Sequence, residues 1–164
     1  MNEQKKYEFT GEIKVVFGIN FKQIRAIINF GCVVAGEIGG WIEKEENLSQ
    51  SGDAWVYGDA KVSGNAKVSG NAKVSGNAWV SGDAEVKKDD DYMVIGGAGR
   101  YNRFTTFFKC RDKTIKVVCG CFFGTIIEFR AKVKETHKGN KHEKVYLAMA
   151  DMAELQIGND EVEK

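Results

Sequence analysis

Apolar and polar positions alternate with a strict period of six between Gly52 and Val86, where the chain reads GDAWVY-GDAKVS-GNAKVS-GNAKVS-GNAWVS-GDAEV. Ala stands at 54, 60, 66, 72, 78 and 84, and Val at 56, 62, 68, 74, 80 and 86. Within a hexad these two lie two residues apart, so they share one face of a short strand while the residue between them faces the other way. Gly-Asn or Gly-Asp then supplies a corner, because these residues accept left-handed backbone angles most readily. A fixed six-residue period predicts a β-solenoid. With three corners per turn, the coil repeats every 18 residues and its turns lie about 4.8 Å apart. That register stacks Val56 on Val74, Val62 on Val80 and Val68 on Val86. It also sets Trp55 beside Lys73, Lys61 beside Trp79 and Lys67 beside Glu85. Two turns of Ala and Val enclose little apolar area and leave strand edges open, so the flanking segments or further subunits have to cover them.

The flanks carry different patterns. Tyr7–Phe17 and Phe21–Phe30 are rich in Val, Ile and Phe and read as strands, and GEIGGWIEKEENLS leads into the repeats with Trp41, Ile42 and Leu48 as packing residues. After the charged KKDDD, residues 103–110 and 114–122 read as a hairpin, with Ile115, Val117, Cys119 and Cys121 on one face. Thr125 and Glu128 form a capping box for a helix with an Ile126, Phe129, Val133 stripe, ended by Gly139. Asn140 and Glu143 open a second helix in the same way, with a stripe of Val145, Met149, Met152 and Leu155. The expected organisation is an N-terminal β cap over 1–51, repeats and linker over 52–91, a ββαα module over 92–157 and an acidic tail over 158–164. The expected fold class is mainly β with an α+β C-terminal module, built on a short left-handed parallel β-helix.

Composition adds a few bounds. The 164 residues carry a formal net charge of +1, which excludes a global polyelectrolyte role. The first residues, MNEQKKYEFTGE, contain no apolar signal region, and no run approaches a membrane span. Four Cys residues (Cys32, Cys110, Cys119 and Cys121) without such a signal predict reduced thiols and a cytoplasmic location.

The hexads resemble those of the hexapeptide-repeat superfamily of left-handed β-helices, which includes acyltransferases, a class of carbonic anhydrases and filament-forming scaffolds. Here Ser or Tyr follows the aliphatic residue, where the usual hexad has a small residue or Gly. The resemblance implies a homotrimer about the coil axis. Over most of its length the chain is also similar to a set of phage and prophage proteins, through YEFTGEIKVVFGI, GEIGGWIEKEENLSQSGDAWVYGDA and FFKCRDKTIKVVCGCFFGTIIEFRAKVKETHKGNKH. That similarity implies a small protein made in a bacterial cytoplasm.

Candidate chemistry lies mostly beyond the repeats. The acyltransferases of the superfamily need a base near the coil, and its carbonic anhydrases need three His; this chain has only His137 and His142, both far downstream. Cys119-Gly-Cys121 followed by His137 and His142 mimics a zinc finger, but one residue separates the Cys where two to four are usual. The expectation is therefore no catalytic residue, no metal and no cofactor, with that quartet as the zinc candidate and Cys119 or Cys121 with His137 as the thiolate candidate. Between Arg100 and Lys144 there are twelve Lys or Arg against four Asp or Glu, interleaved with aromatics. Cations alternating with stacking rings suit nucleotides and single strands. Arg100, Tyr101, Arg103, Lys109 and Arg111 are the expected anion-binding set. The loop Ile95-Gly-Gly-Ala-Gly-Arg100 lacks the Lys-Ser/Thr ending of a phosphate loop and reads as a flexible junction. Trp55, Tyr57 and Trp79, large and facing outward on a rigid frame, are the expected protein contacts, between subunits or with a target; the alternative is that they fill gaps against the N- or C-terminal part, and subunit or interdomain packing is preferred. The leading expectation is a non-catalytic phage accessory protein: an oligomeric scaffold that binds a host protein or an anionic nucleotide or nucleic acid, without membrane attachment, and acts as an anti-defence factor. The alternative is an acyltransferase-like or Cys/His-dependent enzyme.

Overall fold

The computed structural model describes residues 4–98 and 103–158. Strands β1 (Tyr7–Val16) and β2 (Ile19–Ala26) form an antiparallel hairpin, and β3 (Ile38–Ile42) pairs antiparallel with β2. Six two-residue strands follow, one per hexad: β4 (Trp55–Val56), β5 (Lys61–Val62), β6 (Lys67–Val68), β7 (Lys73–Val74), β8 (Trp79–Val80) and β9 (Glu85–Val86). Strands β10 (Tyr92–Ala98), β11 (Arg103–Lys109), β12 (Ile115–Cys119) and β13 (Phe122–Thr125) precede helices α1 (Ile126–His137) and α2 (Lys141–Ile157).

The repeat register is the expected one. Val56 pairs with Val74, Val62 with Val80 and Val68 with Val86, all parallel at an offset of 18 residues. Trp55 opposes Lys73, Lys61 opposes Trp79 and Lys67 opposes Glu85. The repeat Ala and Val side chains are buried, and the repeat glycines turn the chain at φ between 58° and 72°.

The expected fold class is nevertheless corrected. The strands assemble into a five-stranded mixed sheet in the order β1-β2-β3-β5-β8, a four-stranded antiparallel sheet β10-β11-β12-β13, and two separate parallel pairs, β4-β7 and β6-β9. The architecture is mainly β, made of small mixed and antiparallel sheets with two C-terminal helices, rather than a left-handed parallel β-helix under a cap. The reason lies in the number of hexads. Six hexads provide one partner per strand, so no side stacks more than two repeat strands, and the longer flanking strands set the sheets. The N-terminal segment extends the repeat pairing rather than lidding it: Trp41 and Ile42 of β3 pair in parallel with Lys61 and Val62. Gly39 and Gly40 make this approach possible. A Cβ on Gly40 would lie 2.7 Å from Val56 Cγ1, and one on Gly39 2.6 Å from Trp55 Cζ2.

Buried polar groups bind the same junction. The Asn47 amide donates to the carbonyls of Gly64 (3.1 Å) and Ala66 (2.9 Å), and its oxygen accepts from the Lys44 N–H (2.8 Å). It thus takes the place of a backbone amide between the short 3-10 turn Glu45–Asn47 and the repeats. Lys6 is 1% exposed, and its ammonium donates to carbonyls of Ser51, Gly52 and Ala54 while lying 4.7 Å from the centre of the Phe30 ring.

One apolar cluster runs from Tyr7 and Ile24 through all the repeat Ala and Val residues to Phe108 and Val118. A second lies between the β10–β13 sheet and the helices, around Phe107, Val117, Phe129, Met149 and Ala153. Both helices begin where expected, on the N-cap half of each box: Thr125 accepts from the Glu128 N–H (3.1 Å) and Asn140 from the Glu143 N–H (3.1 Å), while the Glu143 carboxylate accepts from the Gly139 N–H rather than from Asn140. The C-terminal part departs from the expected ββαα unit in having four strands, with Ile95–Ala98 inside β10 rather than in a flexible junction. The buried face of α2 is Tyr146, Met149, Ala150, Ala153 and Ile157, leaving Met152 and Leu155 outside. The small residues Ala150 and Ala153 let this helix approach the sheet closely. Among the described residues, no helix is long and apolar enough to cross a membrane.

Candidate functional site

The β12–β13 turn and the two helices enclose a cleft of about 430 Å³. Its floor is aromatic: Phe122 and Phe129 pack at 5.7 Å between ring centres, and Tyr146 meets Phe129 edge-on at 5.9 Å. Its polar rim comes from Arg103 on β11, Lys132 and His137 on α1, and Asn140 and His142 at the start of α2. The His137 ring stacks on Tyr146 at 5.5 Å and meets His142 at 5.6 Å. Arg103 is placed by Gly120, over which its guanidinium lies so closely that a Cβ there would collide with it. The described lining residues include two permanent cations and no carboxylate, and Glu135, one helical turn along α1 and outside the lining, stands 3.9 Å from the Lys132 ammonium. An open, cation-rimmed aromatic cavity of this size matches small anionic ligands carrying a flat ring system.

Two thiols also line the cleft. Cys119 accepts a hydrogen bond from Thr105 Oγ1 (3.2 Å). The Tyr146 hydroxyl is pushed up from its ordinary range, first by burial and then by the Cys119 thiol beside it. Cys121 was expected on the strand face of Cys119, but β12 ends at Cys119 and Cys121 sits exposed in the turn. Cys119, Cys121, His137 and His142 thus share one cavity, as the zinc candidate requires, yet among the described residues no three His, Cys, Asp or Glu side chains converge as metal donors.

The expected anion set divides. Arg103 lines the cleft. Arg111 is turned to the repeats, donating through Nη2 to the Asn65 carbonyl (3.0 Å) while its backbone N–H meets the Asp83 carbonyl (3.1 Å), so it tethers the C-terminal sheet. Lys109 lines a smaller cavity with Arg111, Glu85 and Asp91. Arg100 and Tyr101 lie outside the described residues. Lys132 was missed by the sequence reading; its signal was its place one residue before Val133, on the cleft-side flank of the α1 stripe.

The outward aromatic rings of the repeats pack against the N-terminal segment. Trp55 is fully buried, edge-on to Tyr7 and Phe30. Trp79 is covered by the β1–β2 hairpin, stacked against Phe17 at 5.8 Å and edge-on to Phe21, with its indole N–H donating to Ser63 Oγ (2.9 Å). Tyr57 is half-buried against the same core. These rings face away from the Ala and Val interior as expected, but the N-terminal hairpin occupies that side.

No family model matches this chain. One similarity stands out. A stretch of 36 residues is 50% identical to part of a protein of Escherichia coli (strain K12) described as an uncharacterized acetyltransferase, YdcK. The matched stretch covers 22% of this chain and 11% of the E. coli protein. It has the length of six hexads.

Proposed function

We propose that this protein is a non-catalytic binding protein that takes a small anionic ligand of the nucleotide class in the cleft between the β12–β13 turn and the helices. The observation that carries the reading is the cleft's composition: Arg103 and Lys132 at the rim, aromatic rings on the floor and no carboxylate among the described lining residues. In this reading the repeats and the N-terminal hairpin are the frame, and Arg111 holds the C-terminal sheet on it. For an accessory protein of a phage or its host, such a cleft would serve to sequester a nucleotide signal. Equilibrium dialysis against ADP and inorganic phosphate tests it. Saturable binding that weakens about tenfold or more in Arg103→Ala or Lys132→Ala, with Lys44→Ala as an unaffected control, supports the reading. Binding unchanged in both variants, or none at all, removes it.

A second reading is acyl transfer, favoured by the similarity to the E. coli acetyltransferase. It requires turnover: the acetyl group of a thioester donor passes to an acceptor amine or hydroxyl whose proton ends on the departing thiolate, measured as acceptor-dependent thiol release and abolished in Cys119→Ser or His137→Ala. Binding without turnover favours the first reading.

A further inference from the structure

Beside the cationic cleft, on the other face of the β10–β13 sheet, lies an apolar groove of about 350 Å³. Three distant parts of the chain build it. The β1–β2 turn contributes Phe17 and Ile19, the repeats contribute Trp79, and the β12–β13 hairpin contributes Val118, Phe122 and Phe123. Phe17 is 72% exposed and Phe123 49% exposed, so two aromatic walls stand in water. Neither is loosely placed: Phe17 is stacked on Trp79 (5.8 Å) and Phe123 on Phe108 (6.5 Å). Cys121 and Phe122 line both the groove and the cleft, so the two cavities meet around the tip of the β12–β13 hairpin.

We infer that the two cavities form one site for a single-chain anionic amphiphile, with its phosphate-type head among the cations of the cleft and its alkyl chain in the groove against Phe17, Trp79 and Phe123. This rests on the anion-binding reading of the cleft and extends it by the chain. The charge separation matches such a molecule: cations and imidazoles rim one cavity, and mainly apolar side chains line its neighbour. A nucleotide alone would leave the exposed aromatic walls wet, and an uncharged lipid would make no use of the Arg103 and Lys132 donors at the rim. The alkyl chain removes apolar wall area from water, which is the driving force for its burial.

The test uses the full chain with ethyl phosphate and octyl phosphate, both below micelle-forming concentration, followed by calorimetry and by tryptophan fluorescence. Each methylene fully buried strengthens binding about fourfold, so octyl phosphate is expected to bind on the order of a hundredfold or more tighter than ethyl phosphate, with a change in tryptophan emission. Phe123→Ser or Phe17→Ser, each at an exposed ring, should abolish the dependence on chain length while keeping the ethyl phosphate affinity. Lys132→Ala should weaken both ligands. Equal affinity for the two phosphates overturns the amphiphile site and leaves the anion cleft standing. Failure to bind either phosphate overturns both. Binding to anionic vesicles without binding to monomeric octyl phosphate also overturns the amphiphile site.

Discussion

The ammonium of Lys6 donates a 2.6 Å hydrogen bond to the carbonyl of Ala54, joining the start of β1 to the first hexad across 48 residues. The bond is buried, and burial lowers the Lys6 pKa to about 8, partly opposed by the negative charge of Asp53. Native Lys6 therefore loses its proton at a lower pH than unfolded Lys6. Between the two values the unfolded chain binds more protons, so stability rises with pH, at up to about 1.4 kcal/mol per unit. Cys110 acts in the opposite sense, because burial pushes its thiol up to about 11 and only the unfolded chain ionises there above pH 9. Tyr7, also pushed up by burial, adds a further loss above pH 10. The expected profile rises from pH 8 to 9, flattens and then falls above 10. Urea midpoints measured at pH 7.5, 9 and 11 check it, and Lys6→Met should remove most of the initial rise.

Two glycines near the repeats should respond differently to alanine. At Gly40 a Cβ would meet Val56 Cγ1 at 2.7 Å and the Ala60 carbonyl at 2.8 Å, so Gly40→Ala forces β3 away from the repeats. A loss of about 1–3 kcal/mol is expected. At Gly58 nothing lies within 4 Å, and only the positive φ of 58° opposes a side chain. Gly58→Ala should cost about 1–2 kcal/mol, and Gly58→Asn less than Gly58→Ala. Denaturation midpoints of the three variants separate collision from backbone strain.

Asn47 tests the buried polar link to the repeats. Asn47→Asp preserves shape but replaces the amide donors that face the Gly64 and Ala66 carbonyls with carboxylate oxygen. Leaving these acceptors unpaired beside a buried charge should cost about 3 kcal/mol or more at neutral pH. The loss should shrink as the carboxyl protonates, so chemical denaturation of the variant relative to the parent at pH 7 and pH 4 is the measurement.

Thiol reactivity should sort the four cysteines. Cys32 and Cys121 are exposed and should react quickly with a disulfide reagent in the native state. Cys110 is buried with its thiol pushed up to about 11, and should react only on unfolding. Mass mapping of the labelled sites checks the order. A ligand in the cleft and groove should protect Cys121 while leaving Cys32 reactive.

Local chemistry made part of this molecule readable without coordinates. The six-residue period by itself determined the 18-residue pairing of Val56 with Val74 and its two companions, because each Gly corner and each Ala-Val pair repeats the same backbone angles. Thr125 with Glu128, and Asn140 with Glu143, likewise determined where both helices begin, since a cap is made by residues three apart. Tertiary structure alone decided how the strands join into sheets, because hexads of two-residue strands accept whatever longer strand lies beside them, and β3 does. It buried Trp55, which faces away from the repeat interior but meets Tyr7 and Phe30. It also turned α2 so that Ala150 and Ala153, rather than Met152 and Leu155, face the sheet, because close packing favours small side chains at a near approach. The candidate site belongs to this second class. Arg103, Lys132 and His137 share a cleft only because the hairpin turn at Gly120 and the start of α2 fold to the same end of the sheet, a proximity that no spacing along the chain encodes.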